Sequence, residues 1–194
     1  METSLYGEKL VNSRRQFLRS SSKLMVAGSL MSFGIGAKAA VRPSTPYFLS
    51  LDHTHTLERI GLQYRLGDDY LKPALGRLNR FLRDHYSGTV GIIDPRLYDI
   101  LSDMKSLLRT DLAYHIISGY RDPNTNERLR TTRGGGVAKT SLHMQGRALD
   151  IRMPGVPLDA LRDAALELKA GGVGYYSSDR FVHIDTGRVR SWGS

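Results

Sequence analysis

An aspartate set between two large aliphatic residues, Leu149-Asp150-Ile151, constrains this chain more than any other feature. The stretch Arg147–Met153 reads as a strand, and a carboxylate inside it is costly unless a cation or hydrogen bonds compensate it. Whatever the chain folds into must bring such a partner to Asp150. Two nearby patterns offer one: Ser141-x-His143-x2-Gly146-x-Ala148-x-Asp150 and His183-x-Asp185. Each interrupts or ends a predicted strand, so the side chains can converge on one edge of a sheet. Two imidazoles and a carboxylate suit zinc, with one coordination position left for water. Gly146 is needed because the loop must reverse beside the metal. Spacing alone leaves a second reading open, in which two buried histidines make structural hydrogen bonds and the aspartate lies at the surface.

The rest of the chain reads as one α+β domain. Tyr47–Leu51 and Arg59–Arg65 are β-like runs around Asp52-His53-Thr54-His55-Thr56, a hairpin. Asp69–Tyr86 places Leu71, Leu75, Leu78, Phe81 and Leu82 on one helical face, with Pro73 in the first turn or forcing the start to Lys72. Asp94-Pro95 opens a second helix that runs to about Arg109. Strands follow at Tyr114–Ser118 and Arg147–Met153, and Pro157–Ala170 is a helix stopped by Gly171-Gly172. Short strands Val173–Tyr176 and Phe181–Thr186 close the pattern. Helices early and strands late argue for a small antiparallel sheet flanked by helices.

The first 39 residues read as an export signal rather than part of that domain. Arg14-Arg15-Gln16-Phe17-Leu18 precedes a short apolar core diluted by Gly and Ser, and Ala37-Lys38-Ala39 supplies small residues for cleavage. The core is too short to span a bilayer as a helix. The arginine pair followed by Phe-Leu matches a twin-arginine signal, which makes the twin-arginine export machinery a partner and the periplasm the destination. The domain is therefore 40–194, with no stable membrane span in the mature form. The full chain carries 28 Lys and Arg against 19 Asp and Glu. Six of those bases and two of the acids lie in 1–39, so the domain has 22 and 17, a net charge of +5. That suits a protein working beside an anionic polymer such as a cell wall. No basic helix or basic-aromatic interleaving argues for nucleic acid. The absence of cysteine excludes disulfide scaffolds, thiolate metal sites and cysteine nucleophiles, so a metal must sit on His, Asp or Glu.

Ser118-Gly-Tyr-Arg121, the Ser141–Asp150 element and a late His together resemble the zinc peptidase family of D-Ala-D-Ala carboxypeptidases, VanX dipeptidases and murein endopeptidases. The closer similarity is to its murein endopeptidase K (YcbK-like) branch. Leu78-Asn79-x-Phe81-x-Arg83-Asp84, Ile117–Arg121, Ala170–Tyr176 and Phe181–Gly187 carry it over nearly the whole mature chain. The resemblance implies the LAS-type, hedgehog-like peptidase fold with the zinc site at the sheet edge. It implies Zn²⁺ on His143, Asp150 and His183, with Arg121 binding substrate and stabilising charge on the scissile carbonyl, and Ser141 helping to bind substrate. The implied function is a zinc-dependent murein endopeptidase acting on peptidoglycan stem peptides and their cross-links. A D-Ala-D-Ala carboxypeptidase on uncross-linked stems, or a non-catalytic zinc-containing wall-binding module, are the alternatives. Many relatives carry a general-base Glu three residues before the last His; here that position is Arg180. Asp185 is the candidate substitute, either as the base or as a partner orienting an imidazole.

Other features read as structural. His53 and His55 belong to a solvated hairpin turn, and His85 and His115 lack partners. Gly134–Gly136 lacks the Lys-Ser/Thr of a phosphate loop and reads as a lid or substrate loop. Ser141 with His143 and Asp150 does not make a serine triad, because no nucleophile elbow is present.

Overall fold

The computed structural model describes residues 44–132 and 137–193. The export signal read over 1–39 and the Gly134–Gly136 run lie outside the described residues. Strands β1 (Pro46–His53) and β2 (Arg59–Leu66) form the expected antiparallel hairpin, and the two-residue β3 (Asp69–Tyr70) adds to its edge. Helix α1 (Lys72–Phe81) begins at Lys72, as Pro73 requires, and ends earlier than the apolar spacing suggests. Helix α2 (Arg96–Leu108) starts after Asp94, whose Oδ1 accepts from Arg96 N at 3.1 Å. Then come β4 (Tyr114–Ser118), α3 (Pro123–Thr132), a 3₁₀ turn (Leu142–Gln145), β5 (Ala148–Arg152), α4 (Leu158–Leu168), β6 (Gly172–Tyr176), β7 (Phe181–Asp185) and β8 (Arg190–Gly193). Among the described residues no helix is long and apolar enough to cross a membrane.

All eight strands form one sheet in the order β3-β2-β1-β4-β5-β7-β6-β8. The sheet is mixed, which corrects the antiparallel expectation. β4 lies parallel to β1, and β8 parallel to β6. The chain leaves the first hairpin, crosses through α1 and α2, and re-enters beside β1 in the same direction; parallel pairing needs a long connection of this kind. Helix α3 and strand β8 are additions to the sequence reading. α3 buries only Thr125, Asn126 and Leu129, so it carries little apolar periodicity to recognise.

Alternation along the strands separates two faces. Leu149 and Ile151 of β5, Val182 and Ile184 of β7, and Tyr114 and Ile116 of β4 are all buried in the core. Helices α2 and α4 cover this face, and Tyr114 Oη donates to Leu101 O of α2 at 2.9 Å. Asp150, His183 and Asp185 therefore point to the opposite face. On β4 a bulge changes the rule: Ile116 pairs with Ile151, but Ser118 pairs with Asp150. The extra residue carries Ser118 onto the face of Asp150, re-aiming a side chain as bulges do.

Gly146 closes the 3₁₀ turn at φ +64°, and a Cβ there would lie 1.8 Å from Ile92 O. Gly146→Ala is expected to lower stability by more than ~1 kcal/mol. Gly76, inside α1 with open space where a Cβ would stand, is the control; its change to Ala should raise stability by about 0.5–1 kcal/mol. Urea midpoints of the two variants test both signs.

Candidate active site

Three ligand-type side chains meet on the face of the sheet opposite α2 and α4. Asp150 and His183 are cross-strand neighbours on β5 and β7. His143 comes from the 3₁₀ turn just before β5, which Ser141 caps by accepting from His143 N at 3.3 Å. His143 Nε2 lies 3.3 Å from His183 Nδ1 and 3.3 Å from Asp150 Oδ1, and His183 Nδ1 lies 2.9 Å from Asp150 Oδ1. The cluster sits on interior strands of the sheet, the fifth and sixth of eight. It belongs to the face of the sheet and not to the expected edge.

The other nitrogen of each ring sets the chemistry of this cluster. His143 Nδ1 lies 2.8 Å from Gly119 O, an acceptor only, so the proton is on Nδ1 and Nε2 carries a lone pair. His183 Nε2 lies 3.2 Å from Asp185 Oδ2, which likewise leaves Nδ1 with a lone pair. Two lone pairs and a carboxylate oxygen thus face one another, and this set is stable only around a cation or a bound proton. Donor atoms about 2.0–2.1 Å from a tetrahedral zinc stand roughly 3.3 Å apart, close to the separations here. The residues fit zinc.

Asp185 is tied down by five donors. Its Oδ1 accepts from Gly172 N at 3.0 Å, Gly187 N at 2.8 Å and Arg190 Nη1 at 3.1 Å. Its Oδ2 takes Arg190 Nη2 at 2.7 Å and His183 Nε2. Burial opposes its charge, but His183, Arg190 and the two backbone donors hold its carboxyl far below the usual range. The side chain is fully buried on the far side of the His183 ring from Nδ1. This arrangement also explains Gly171-Gly172. Helix α4 ends at Leu168 with Lys169 in the left-handed region, before the glycine pair. A Cβ at Gly171 would lie 1.7 Å from Asp185 O, and one at Gly172 would lie 2.4 Å from Asp185 Oδ2.

Arg121 sits at the mouth of the cluster. Its Nη2 is 3.3 Å from Ser118 Oγ and 3.7 Å from Asp150 Oδ2, and its Nη1 is 3.4 Å from Asn126 Oδ1. Asn126 in turn donates to Ala138 O at 3.1 Å, so α3 helps to hold the arginine. Asp84 pins the same loop by accepting from Asp122 N at 2.8 Å. On the other flank Trp192 of β8 lies 5.2 Å from the His183 ring and donates to Tyr176 Oη at 2.9 Å. Sequence reasoning misses Asn126, Arg190 and Trp192; they enter only because α3 and β8 fold back onto the site. Arg180 stands exposed in the β6–β7 turn at φ +56°.

Electrostatics give a test. Burial opposes charge on His183, yet hydrogen bonds to Asp150 and Asp185 push it up to about 9. In the protein without metal, a proton on His183 meets the need a cation otherwise meets. A group raised above its unfolded value near ~6.5 contributes stability that is full below that pH and lost as pH rises through the folded value. Burial holds His143 below its ordinary value, and Asp150 is likewise held low despite burial by its two imidazole neighbours, so neither titrates in that window. Chelated protein should therefore lose thermal stability steadily from pH ~6.5 to ~9, while zinc-loaded protein stays level. Calorimetry across that range, with and without chelator, reads the difference.

Comparison with known proteins agrees with this geometry. Residues 41–192 match the family described as peptidoglycan L,D-endopeptidase MepK. The chain is 39% identical over 186 residues to peptidoglycan L,D-endopeptidase MepK of Escherichia coli strain K12, covering 91% of this chain and 99% of that protein. It is 36% identical over 155 residues to the probable peptidoglycan L,D-endopeptidase MepK of Haemophilus influenzae, covering 79% and 83%. With near-full-length similarity and a buried His-Asp-His cluster that could hold a metal, the chain belongs to the peptidoglycan L,D-endopeptidase MepK family.

Proposed function

We propose that this protein is a zinc-dependent murein endopeptidase that hydrolyses peptide cross-links of peptidoglycan, of the L,D class that its relatives' names specify. The observation that carries the reading is the set of three ligand atoms, from His143, Asp150 and His183, converging beside the Arg121 guanidinium. A zinc ion held by these residues supplies Lewis acidity, which polarises a peptide carbonyl and acidifies water near neutral pH. Arg121 contributes a fixed cation where negative charge develops on the carbonyl oxygen, a role worth several kcal/mol in a water-poor site. Asn126 and Ser118 hold that cation in place, so its orientation is not renewed at each turnover.

Two sequence expectations take definite form in this reading. Asp185 is a positioning residue, not the base: its lone pairs are spent on five donors, and its contact with His183 Nε2 turns Nδ1 toward the ligand cluster. Ser141 serves by capping the turn that presents His143. The twin-arginine signal over 1–39 delivers the domain to the periplasm, where its cross-linked substrate lies.

Digestion of purified sacculi followed by muropeptide separation tests the function. Cross-linked dimers should be consumed by zinc-loaded protein and spared when a chelator is present; loss of only terminal D-Ala would mean a carboxypeptidase. Asp185→Asn should weaken zinc affinity by ~10–100-fold, with cleavage restored at high zinc. A fall of ~10²–10⁴-fold in turnover at full zinc occupancy would instead make Asp185 the base. Changing both Arg14 and Arg15 to Lys should leave precursor in the cytoplasm, as cell fractionation would reveal.

A further inference from the structure

Three histidines that the sequence reads as solvated or unpartnered pack together. His53, at the end of β1, is 2% exposed, and the His55 and His85 rings stack with centroids 4.1 Å apart. Among the described residues they form no second ligand set. The arrangement that bears on the chemistry lies on the other flank of the cluster, where two glycines of β6 leave a trough between the ligand strand β7 and the edge of the sheet.

Strand β6 runs between β7 and the edge strand β8. Gly174 of β6 pairs with His183 on one side and with Trp192 on the other. Gly172 pairs with Arg190, and its N–H donates to Asp185 Oδ1 at 3.0 Å. Val173 between them points into the core. With no side chain on β6 at these two positions, the side chains of β8 reach across it to β7. Arg190 grips Asp185 with both terminal nitrogens, Nη1 at 3.1 Å from Oδ1 and Nη2 at 2.7 Å from Oδ2. The Trp192 ring comes within 5.2 Å of the His183 ring. Trp192 is held in turn by its N–H bond to Tyr176 Oη at 2.9 Å and by the Arg190 guanidinium, 4.7 Å over its ring. A Cβ at Gly174 would lie 2.6 Å from Trp192 Cε2, and one at Gly172 would lie 2.2 Å from Arg190 Nη1. The trough thus has the shape of these two side chains, and a larger residue on β6 would push them away from β7. Four residues long and at the edge of the sheet, β8 is of the kind that opens readily in local fluctuations. It nevertheless carries the ion pair that fixes the partner of a metal ligand.

We propose that Arg190 and Trp192 are positioning residues for the zinc ligand His183, so that docking of β8 across the glycine trough and binding of zinc are coupled. The proposal rests on the zinc reading of the cluster. Arg190 orients Asp185, Asp185 holds the Nε2 proton of His183 so that Nδ1 faces the cluster, and Trp192 limits the tilt of the ring. Outer partners of ligand imidazoles act in this way. Coupling between two binding events is reciprocal, so zinc steadies β8 by the factor that docked β8 adds to zinc affinity.

Zinc affinity of wild type, Arg190→Ala and Gly174→Ala is measured by competition with a chromophoric chelator. Both variants should bind zinc ~10–100-fold more weakly. Gly174→Ala removes no charge and displaces the indole, and urea midpoints of the metal-free forms separate loss of fold from loss of affinity. Wild-type affinity in either folded variant would overturn the role of the side chain it removes or displaces. A second arm needs no variant. Amide hydrogen exchange is followed by NMR in wild-type protein with and without zinc, at residues 191–193 of β8 and at Asp69–Tyr70 of β3, the opposite edge of the same sheet. Zinc should slow exchange in β8 by ~10–100-fold and change β3 far less. Equal slowing at both edges, or none in β8, would overturn the coupling. If wild-type protein takes up no zinc, the zinc reading falls and the metal-free protein decides the positioning. The Nε2 proton of His183 should then resist exchange in wild type and lose that protection in Arg190→Ala, and the same exchange in both would overturn it.

Discussion

Asp150 is a carboxylate buried in a strand, and nearly everything else near the site answers the demand that its charge creates. Its Oδ1 meets both imidazoles, at 3.3 Å and 2.9 Å, and its Oδ2 faces Arg121 at 3.7 Å. An isolated ionised carboxylate at that depth is too costly to keep, so partners must be held as rigidly as the strand itself. The chain supplies that rigidity through a second layer. Gly119 O fixes His143, Asp185 fixes His183, and Arg190 with two glycine amides fixes Asp185. A site built this way is oriented before any metal or substrate arrives, as metal centres with well-supported ligands are.

The sheet makes this economical. One face packs against α2 and α4 and supplies the stability, while the other, on the same central strands, carries the chemistry. Leu149 and Ile151 anchor the strand that Asp150 interrupts. The two functions are therefore coupled by alternation alone, and a one-residue slip of β5 would exchange them. The β4 bulge breaks that alternation beside the site, and it brings Ser118, and through it Arg121, onto the chemical face.

Some of this is legible in the sequence because it is local. The hairpin of β1 and β2, the helix start at Lys72 forced by Pro73, and the reversal at Gly146 each depend on residues within a few positions of one another. The residue types of the cluster are legible too, since an aspartate between Leu149 and Ile151 calls for compensation wherever the strand lies. Less legible are α3, whose polar sequence hides a short buried stripe, and β8, a four-residue strand recognisable only by its pairing with β6. The parallel pairings and the position of the cluster on a face instead of an edge depend on strand order, which spacing along the chain does not encode.

The sequence by itself determined which residues carry charge and lone pairs, and that an aspartate between Leu149 and Ile151 needs a compensating partner if its strand is buried. Only the tertiary structure decided which nitrogen of each ring faces the cluster, and that Asp185 meets His183 on the side of the ring away from the cluster. It also decided that His53, His55 and His85 meet across the end of β1 and the loop after α1. The reason is physical: a tautomer, a lone pair's direction and a ring stack are set by neighbours that arrive from distant strands, and their hydrogen bonds exist only once the sheet has closed around them.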